Sequence, residues 1–169
     1  ALDLVCGNLG LYGDGNVLYE NTGGTFSTTP IWSSGLTNTT TSTILGDVDG
    51  DGDLDLVCGN YIESNTAYEN IGGEFSITPM WSPDRTDSTA SIALGDVDGD
   101  GDLDLVCGNL FNNTLYKNTK SPAYKGDLFA PTHQMPNNGP SIRRTSIRTI
   151  NENHSLVIFS VHDVESDVV

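Results

Sequence analysis

Five aspartates fall within nine residues at Asp47, Asp49, Asp51, Asp53 and Asp55, and five more repeat the arrangement at Asp96, Asp98, Asp100, Asp102 and Asp104. Two carboxylates about 4 Å apart repel by roughly 1 kcal/mol in water, and by more where solvent is excluded. A cation shared among them removes that cost. Counted from Asp47, side-chain oxygens stand at positions 1, 3, 5 and 9 (Asp47, Asp49, Asp51, Asp55), and Asp53 at position 7 offers its backbone carbonyl. The second loop offers Asp96, Asp98, Asp100, Asp104 and the carbonyl of Asp102. Gly52 and Gly101, at position 6, suit a sharp turn that a bulky side chain resists. Ca²⁺ accepts about six to eight oxygens at irregular angles, whereas Mg²⁺ demands a small octahedron and keeps its waters. The expectation is therefore two Ca²⁺ sites. A solvated acidic turn without metal is the competing reading, and it leaves the repeated placement of aspartate and glycine unexplained. The EF-hand loop does not fit: its position 12 asks for Glu, where this chain has Cys58 and Cys107, and no flanking helix is predicted.

The loops belong to a larger repeat. Asp47 to Asp96 is a step of 49 residues, Tyr19-Glu20-Asn21 returns as Tyr68-Glu69-Asn70, and Tyr116-Lys117-Asn118 follows 48 further on. Phe26 returns as Phe75, Ile31-Trp32 as Met80-Trp81, and Cys6, Cys58 and Cys107 share one position. Each unit predicts four short strands and no helix. Ser42–Gly46 enters the Asp loop, and Leu54–Gly59 leaves it as an apolar run. Thr66–Asn70 ends at the turn signal Asn70-Ile71-Gly72-Gly73, and Phe75–Trp81 alternates as a fourth strand whose Pro79 suits a sheet edge. Four antiparallel strands in this length make a unit the size of a propeller blade. A single blade cannot bury both faces of its sheet, so further units, or other copies, must stack on it.

The string Leu45-Gly46-Asp47-Val48-Asp49-Gly50-Asp51-Gly52-Asp53-Leu54-Asp55-Leu56-Val57, its copy from Leu94, and the downstream Tyr-x-Asn-x-Gly-Gly elements resemble the FG-GAP (VCBS) repeats of integrin α-subunits and many secreted microbial proteins. The resemblance spans residues 1–118. It implies a β-propeller with Ca²⁺ held in the hairpin between the first two strands of each blade, in an extracellular or cell-surface setting.

The architecture expected is all-β: tandem four-stranded antiparallel blades, propeller-like, partial or completed by other copies. Residues 1–120 carry the repeats, as a partial unit (1–41), a full unit (42–90) and a third unit (91–120). A Pro-, Gly- and Asn-rich linker is expected over 121–140, and a β-strand tail over 141–169 that begins an Ig-like domain or serves as a donated strand. Ile142–Ile150 and Leu156–His162 are its expected strands, around a turn at Asn151-Glu152-Asn153. The chain opens on the second half of the repeated string and reads as a segment of a longer precursor.

Charge bounds the partners. The formal net charge is -16, and up to Tyr116 there are 18 acids against one base, Arg85. That leaves no basic footprint for nucleic acid, and no run is long enough for a membrane-spanning helix. Asn38, Asn112 and Asn153 each begin an Asn-x-Ser/Thr acceptor pattern for N-glycosylation. The three cysteines read as small buried hydrophobes, and Trp32 and Trp81 as packing residues of an outer strand, with a sugar-stacking surface as the alternative. His133, His154 and His162 sit beside no nucleophile motif, so no enzyme is expected. Three functions remain. The first is a Ca²⁺-stabilised extracellular module for adhesion or display with a protein or glycan ligand. The second is a fibre subunit completed by strand or blade exchange between copies. The third is an accessory propeller of a secreted enzyme.

Overall fold

Paired strands on both sides of each Asp loop build the frame. In the computed structural model, which describes residues 3–9, 14–119, 128–136, 148–151 and 154–156, β1 (Leu4–Cys6), β2 (Val17–Tyr19), β3 (Asn21–Thr22), β4 (Thr25–Phe26) and β5 (Trp32–Ser33) belong to the first unit. The second holds β6 (Thr40–Gly46), β7 (Asp55–Glu63), β8 (Thr66–Tyr68), β9 (Asn70–Ile71) and β10 (Glu74–Phe75). The third holds β11 (Asp87–Gly95), β12 (Asp104–Asn109), β13 (Asn112–Asn118) and β14 (Phe129–Pro136). β15 (Arg148–Asn151) and β16 (His154–Leu156) pair as a separate hairpin. There is no helix among the described residues, and so none long and apolar enough to cross a membrane. The sheets are antiparallel and none of them closes.

The repeat in sequence is a repeat in register. Gly46 pairs with Asp55 and Leu45 with Leu56, as Gly95 pairs with Asp104 and Leu94 with Leu105. One strand further out, Leu56 faces Tyr68, Leu105 faces Tyr116 and Leu4 faces Tyr19. The second and third units are joined into one seven-stranded sheet where β11 meets the far end of β7, through Asp87 with Glu63 and Ser88 with Tyr61.

Alternate residues of each second strand face opposite neighbours, as the two-residue side-chain period of a strand requires. Leu56, Cys58 and Tyr68 form a cluster covered by Val5 and Trp32 of the first unit. Val57 belongs instead to the larger core with Ala67, Trp81, Ile92, Leu105, Cys107, Tyr116 and Phe129. Trp32 stands edge-on to Tyr68 at 5.4 Å, and Trp81 repeats this on Tyr116 at 5.3 Å. Such pairs add to the stabilisation from buried area. Both tryptophans therefore pack between units.

Two expectations differ from the structure. The fourth strand is not one continuous run over 75–81. Gly72 and Gly73 both take positive φ (63° and 95°), a two-residue hairpin turn, and fold β10 back onto β9. The chain regains the main sheet only at Trp81, which bridges Ala67. The stretch expected to be linker holds β14, paired along β13 from Asn118–Phe129 to Asn112–Pro136. Phe129 packs on Trp81 at 4.9 Å, the contact that Phe75 makes with Trp32. In the tail β15 pairs with β16, and residues 152–153 between them, part of the expected turn, lie outside the described residues. The rest of the tail, and with it any Ig-like domain or donated strand, lies outside the described residues.

Candidate metal centre

Each Asp loop is the turn of a hairpin whose ends are held by strand pairing, so its carboxylates cannot disperse. The first aspartate folds the loop around itself. Asp47 Oδ1 accepts from Gly50 N (2.7 Å) and Oδ2 from Gly52 N (3.1 Å), and Asp96 does the same with Gly99 N and Gly101 N. The four glycines at these points have φ between 78° and 98°, a region that side-chain-bearing residues avoid. Asp49 accepts from Asp51 N and Asp51 from Asp53 N, repeated in the second loop by Asp98 from Asp100 N and Asp100 from Asp102 N.

The ninth-position aspartates anchor the loops from within the sheet. Asp55 and Asp104 are fully buried. Asp55 accepts from Val48 N (3.0 Å) across the loop and from Asn70 N (2.9 Å) on the neighbouring chain segment. Asp104 accepts from Val97 N (2.8 Å) and Asn118 N (2.9 Å). Asp3, at the same position of the first unit, accepts from Asn21 N (2.8 Å). Burial pushes the Asp55 carboxyl up to about 6, against the two backbone N–H groups that favour its charged form; Asp49 and Asp51 add repulsion.

These constraints bring Asp47, Asp49 and Asp55 together, and likewise Asp96, Asp98 and Asp104. Within each trio one carboxylate oxygen per residue lies within 4.8 Å of the others. Oxygens on opposite sides of a Ca²⁺ stand about 4.6–5.2 Å apart, so three such donors fit its shell and leave room for carbonyls or water. The second trio also attracts a cation of the chain itself: Lys117 Nζ lies 2.6 Å from Asp98 Oδ2, and this contact holds the Asp98 carboxyl below the usual carboxylate range. The donor chemistry and this stand-in ammonium both fit a hard cation.

The other predicted positions have different contacts. Asp51 and Asp100, at position 5, are exposed and cap the backbone of the loop. Asp53 turns its carboxylate to Gly72 N (2.7 Å), tying the loop to the Gly-Gly turn, and Asp102 is buried. Asn38 sits half-buried before β6, and Asn112 opens β13 with its carbonyl accepting from Asn109 Nδ2. Asn153 lies outside the described residues.

Two pairs of asparagines gained a role that motif reading missed. Asn70 and Asn118 clamp the loops, each donating Nδ2 to the carbonyl before the buried aspartate (Leu54, Leu103). Asn118 Nδ2 also reaches Val48 O in the second unit. Asn16 and Asn65 donate Nδ2 to the sulfur of the next unit's cysteine, Cys58 and Cys107, at 3.2 and 3.3 Å. Their recurrence at the period of the repeat was the available signal. Burial raises both thiols to about 12, so these cysteines pack and do not react.

The model of the FG-GAP-like repeat matches residues 1–58 and again 47–107. The chain belongs to the FG-GAP-like repeat family. A comparison with curated proteins finds no match to it. The two family matches overlap on the first Asp loop, and the second ends at Cys107, just past the second loop. FG-GAP-like repeats suggest a β-propeller type of repeat module, and the described part of this chain is all-β in antiparallel sheets.

Proposed function

We propose that this chain is a non-enzymatic, Ca²⁺-stabilised repeat module of an extracellular or cell-surface protein, serving adhesion or display towards a protein or glycan partner. The observation that carries the reading is the carboxylate trio built twice at the turn between the first two strands of a unit. In each, one member is buried in the sheet and two lie on the loop. Ca²⁺ there would neutralise carboxylates that otherwise repel, and would lock the hairpin that presents the second strand to both neighbouring units. Family membership supports the surface setting, since these repeats are typical of such proteins.

A ligand that binds only the folded state stabilises it by about 2.7 kcal/mol at a hundredfold excess over Kd. For a chain of this size that moves Tm by roughly 5–10 °C per site. Melting in millimolar Ca²⁺ and in excess chelator measures it. Coincident melting curves would overturn the metal reading.

A second reading, assembly of copies by stacking, has its own support. The contact of the first unit with the second repeats between the second and the third, so it is heterologous and open-ended. Val57 is 0% exposed between two units, while its counterpart Val106 is only partly covered. Phe26 is 45% exposed where Phe75 is packed against Trp32. Sedimentation that stays monomeric at high concentration, with and without Ca²⁺, would remove this reading.

A further inference from the structure

The two loops are identical in sequence from Leu45 to Asn60 and from Leu94 to Asn109. Their surroundings are not. The residue after the recurring tyrosine is Glu20 in the first unit, Glu69 in the second and Lys117 in the third. The registers are the same, Tyr68 opposite Leu56 and Tyr116 opposite Leu105. Glu69 and Lys117 therefore take equivalent places beside equivalent loops. At the third unit the ammonium is used: Lys117 Nζ donates to Asp98 Oδ2 at 2.6 Å, and Asp98 is one of the three carboxylates gathered there.

We infer that Lys117 is a tethered counter-cation that makes the 96–104 loop the weaker of the two metal sites, so that the 47–55 loop fills first. This rests on the reading of both loops as Ca²⁺ sites. A divalent ion entering the second trio must take Asp98 from Lys117 or share it. Within a few ångströms, salt does not screen the remaining repulsion between the ammonium and the ion. At the first loop the same position carries Glu69, so the two neighbourhoods differ by two units of charge. The lysine is a gate and not a plug. Its ion pair is partly exposed (side chains 35% and 28%), and such pairs are weak enough for a divalent ion to break. The consequence is graded loading: one unit locks at low Ca²⁺, and the next locks only as Ca²⁺ rises.

The experiment is an NMR titration of the whole chain with Ca²⁺, following the amides of Gly52 and Gly101, which report the two loops separately without disabling either. Gly101 is expected to shift with a Kd roughly three- to tenfold above that of Gly52. Lys117→Glu should bring the two within about twofold, Glu69→Lys should weaken the Gly52 response by a comparable factor, and Lys117→Arg should leave the wild-type ratio in place. A lysine that merely braced the sheet would alter melting but not these ratios. Equal affinities in the wild type, or a ratio that Lys117→Glu leaves unchanged, overturn the inference and leave the metal sites standing. Amides that ignore Ca²⁺ altogether overturn the metal reading, and this inference with it.

Discussion

The junction of the first and second units and the junction of the second and third use the same parts to different depth. In each, a tryptophan stands edge-on to a tyrosine, an asparagine donates to a buried cysteine sulfur, and a glycine lets the next unit come close. A Cβ on Gly7 would meet Thr40 and Thr43, and one on Gly59 would meet Thr89 and Ile92, the residues one repeat later, all at 2.8–2.9 Å. Yet Leu56, Cys58 and Tyr68 are the buried cluster at the first junction, while the second buries ten residues. At the second junction β11 pairs with β7, and Leu128 and Phe129, next to and at the start of β14, close over Trp81. Conserving contact chemistry from unit to unit does not conserve burial. Burial depends on how many strands the neighbour brings.

The largest expected effect tests that difference directly. Trp81 is 4% exposed, and truncating a buried tryptophan costs about 3–5 kcal/mol. Trp32, partly exposed, should cost less than half as much on truncation. Denaturant midpoints of Trp81→Ala and Trp32→Ala decide it, and equal losses would erase the distinction between the junctions.

A smaller effect comes from pH. The Asp55 carboxyl is pushed up to about 6 by burial, above its ordinary value of about 4. The folded, metal-free chain therefore holds this proton more tightly than the unfolded chain. That contribution to stability is fully present below about pH 4 and is lost as pH rises through about 6. In chelator, Asp55→Asn should thus lose less stability than the wild type between pH 4.5 and pH 7. Parallel profiles for the two would contradict the assignment. Ca²⁺ added at pH 7 should restore the wild type and not the variant.

The smallest perturbation is thiol labelling at pH 8. Cys6 is partly exposed, whereas Cys58 and Cys107 are enclosed at successive junctions with their thiols raised to about 12. One equivalent should react promptly in the native chain. The other two should react only on unfolding, Cys58 before Cys107 if the shallower junction opens first. Simultaneous labelling of all three would show that neither junction protects its cysteine.

Much of the candidate site was legible because its signal is local. Asp47, Asp49 and Asp55 recur with Gly50 and Gly52 at fixed spacing, and a loop closed by its own backbone amides needs little from elsewhere in the chain. The fourth strand was less legible, since Phe75–Trp81 alternates like a strand while Gly72-Gly73 sends its first residues into a private hairpin. β14 was hidden by its prolines. Pro131 and Pro136 read as linker, but β14 lies at the sheet edge, where a missing N–H need not break the ladder. Lys117 was hidden for another reason: in the Tyr-x-Asn pattern it occupies the variable position, and its meaning appears only across from Asp98.

The sequence by itself determined the period, the strand-forming runs, the glycines that must take positive φ and the carboxylates available to a cation. Those follow from spacing along the chain and from the backbone freedom of single residues. Tertiary structure alone decided which neighbour each face of a strand meets, that Asp55 and Asp104 are buried while Asp51 and Asp100 are not, and that one of two identical loops has a lysine at its rim. Burial and pair electrostatics depend on atoms brought together from distant parts of the chain, and the spacing of a motif does not encode those distances.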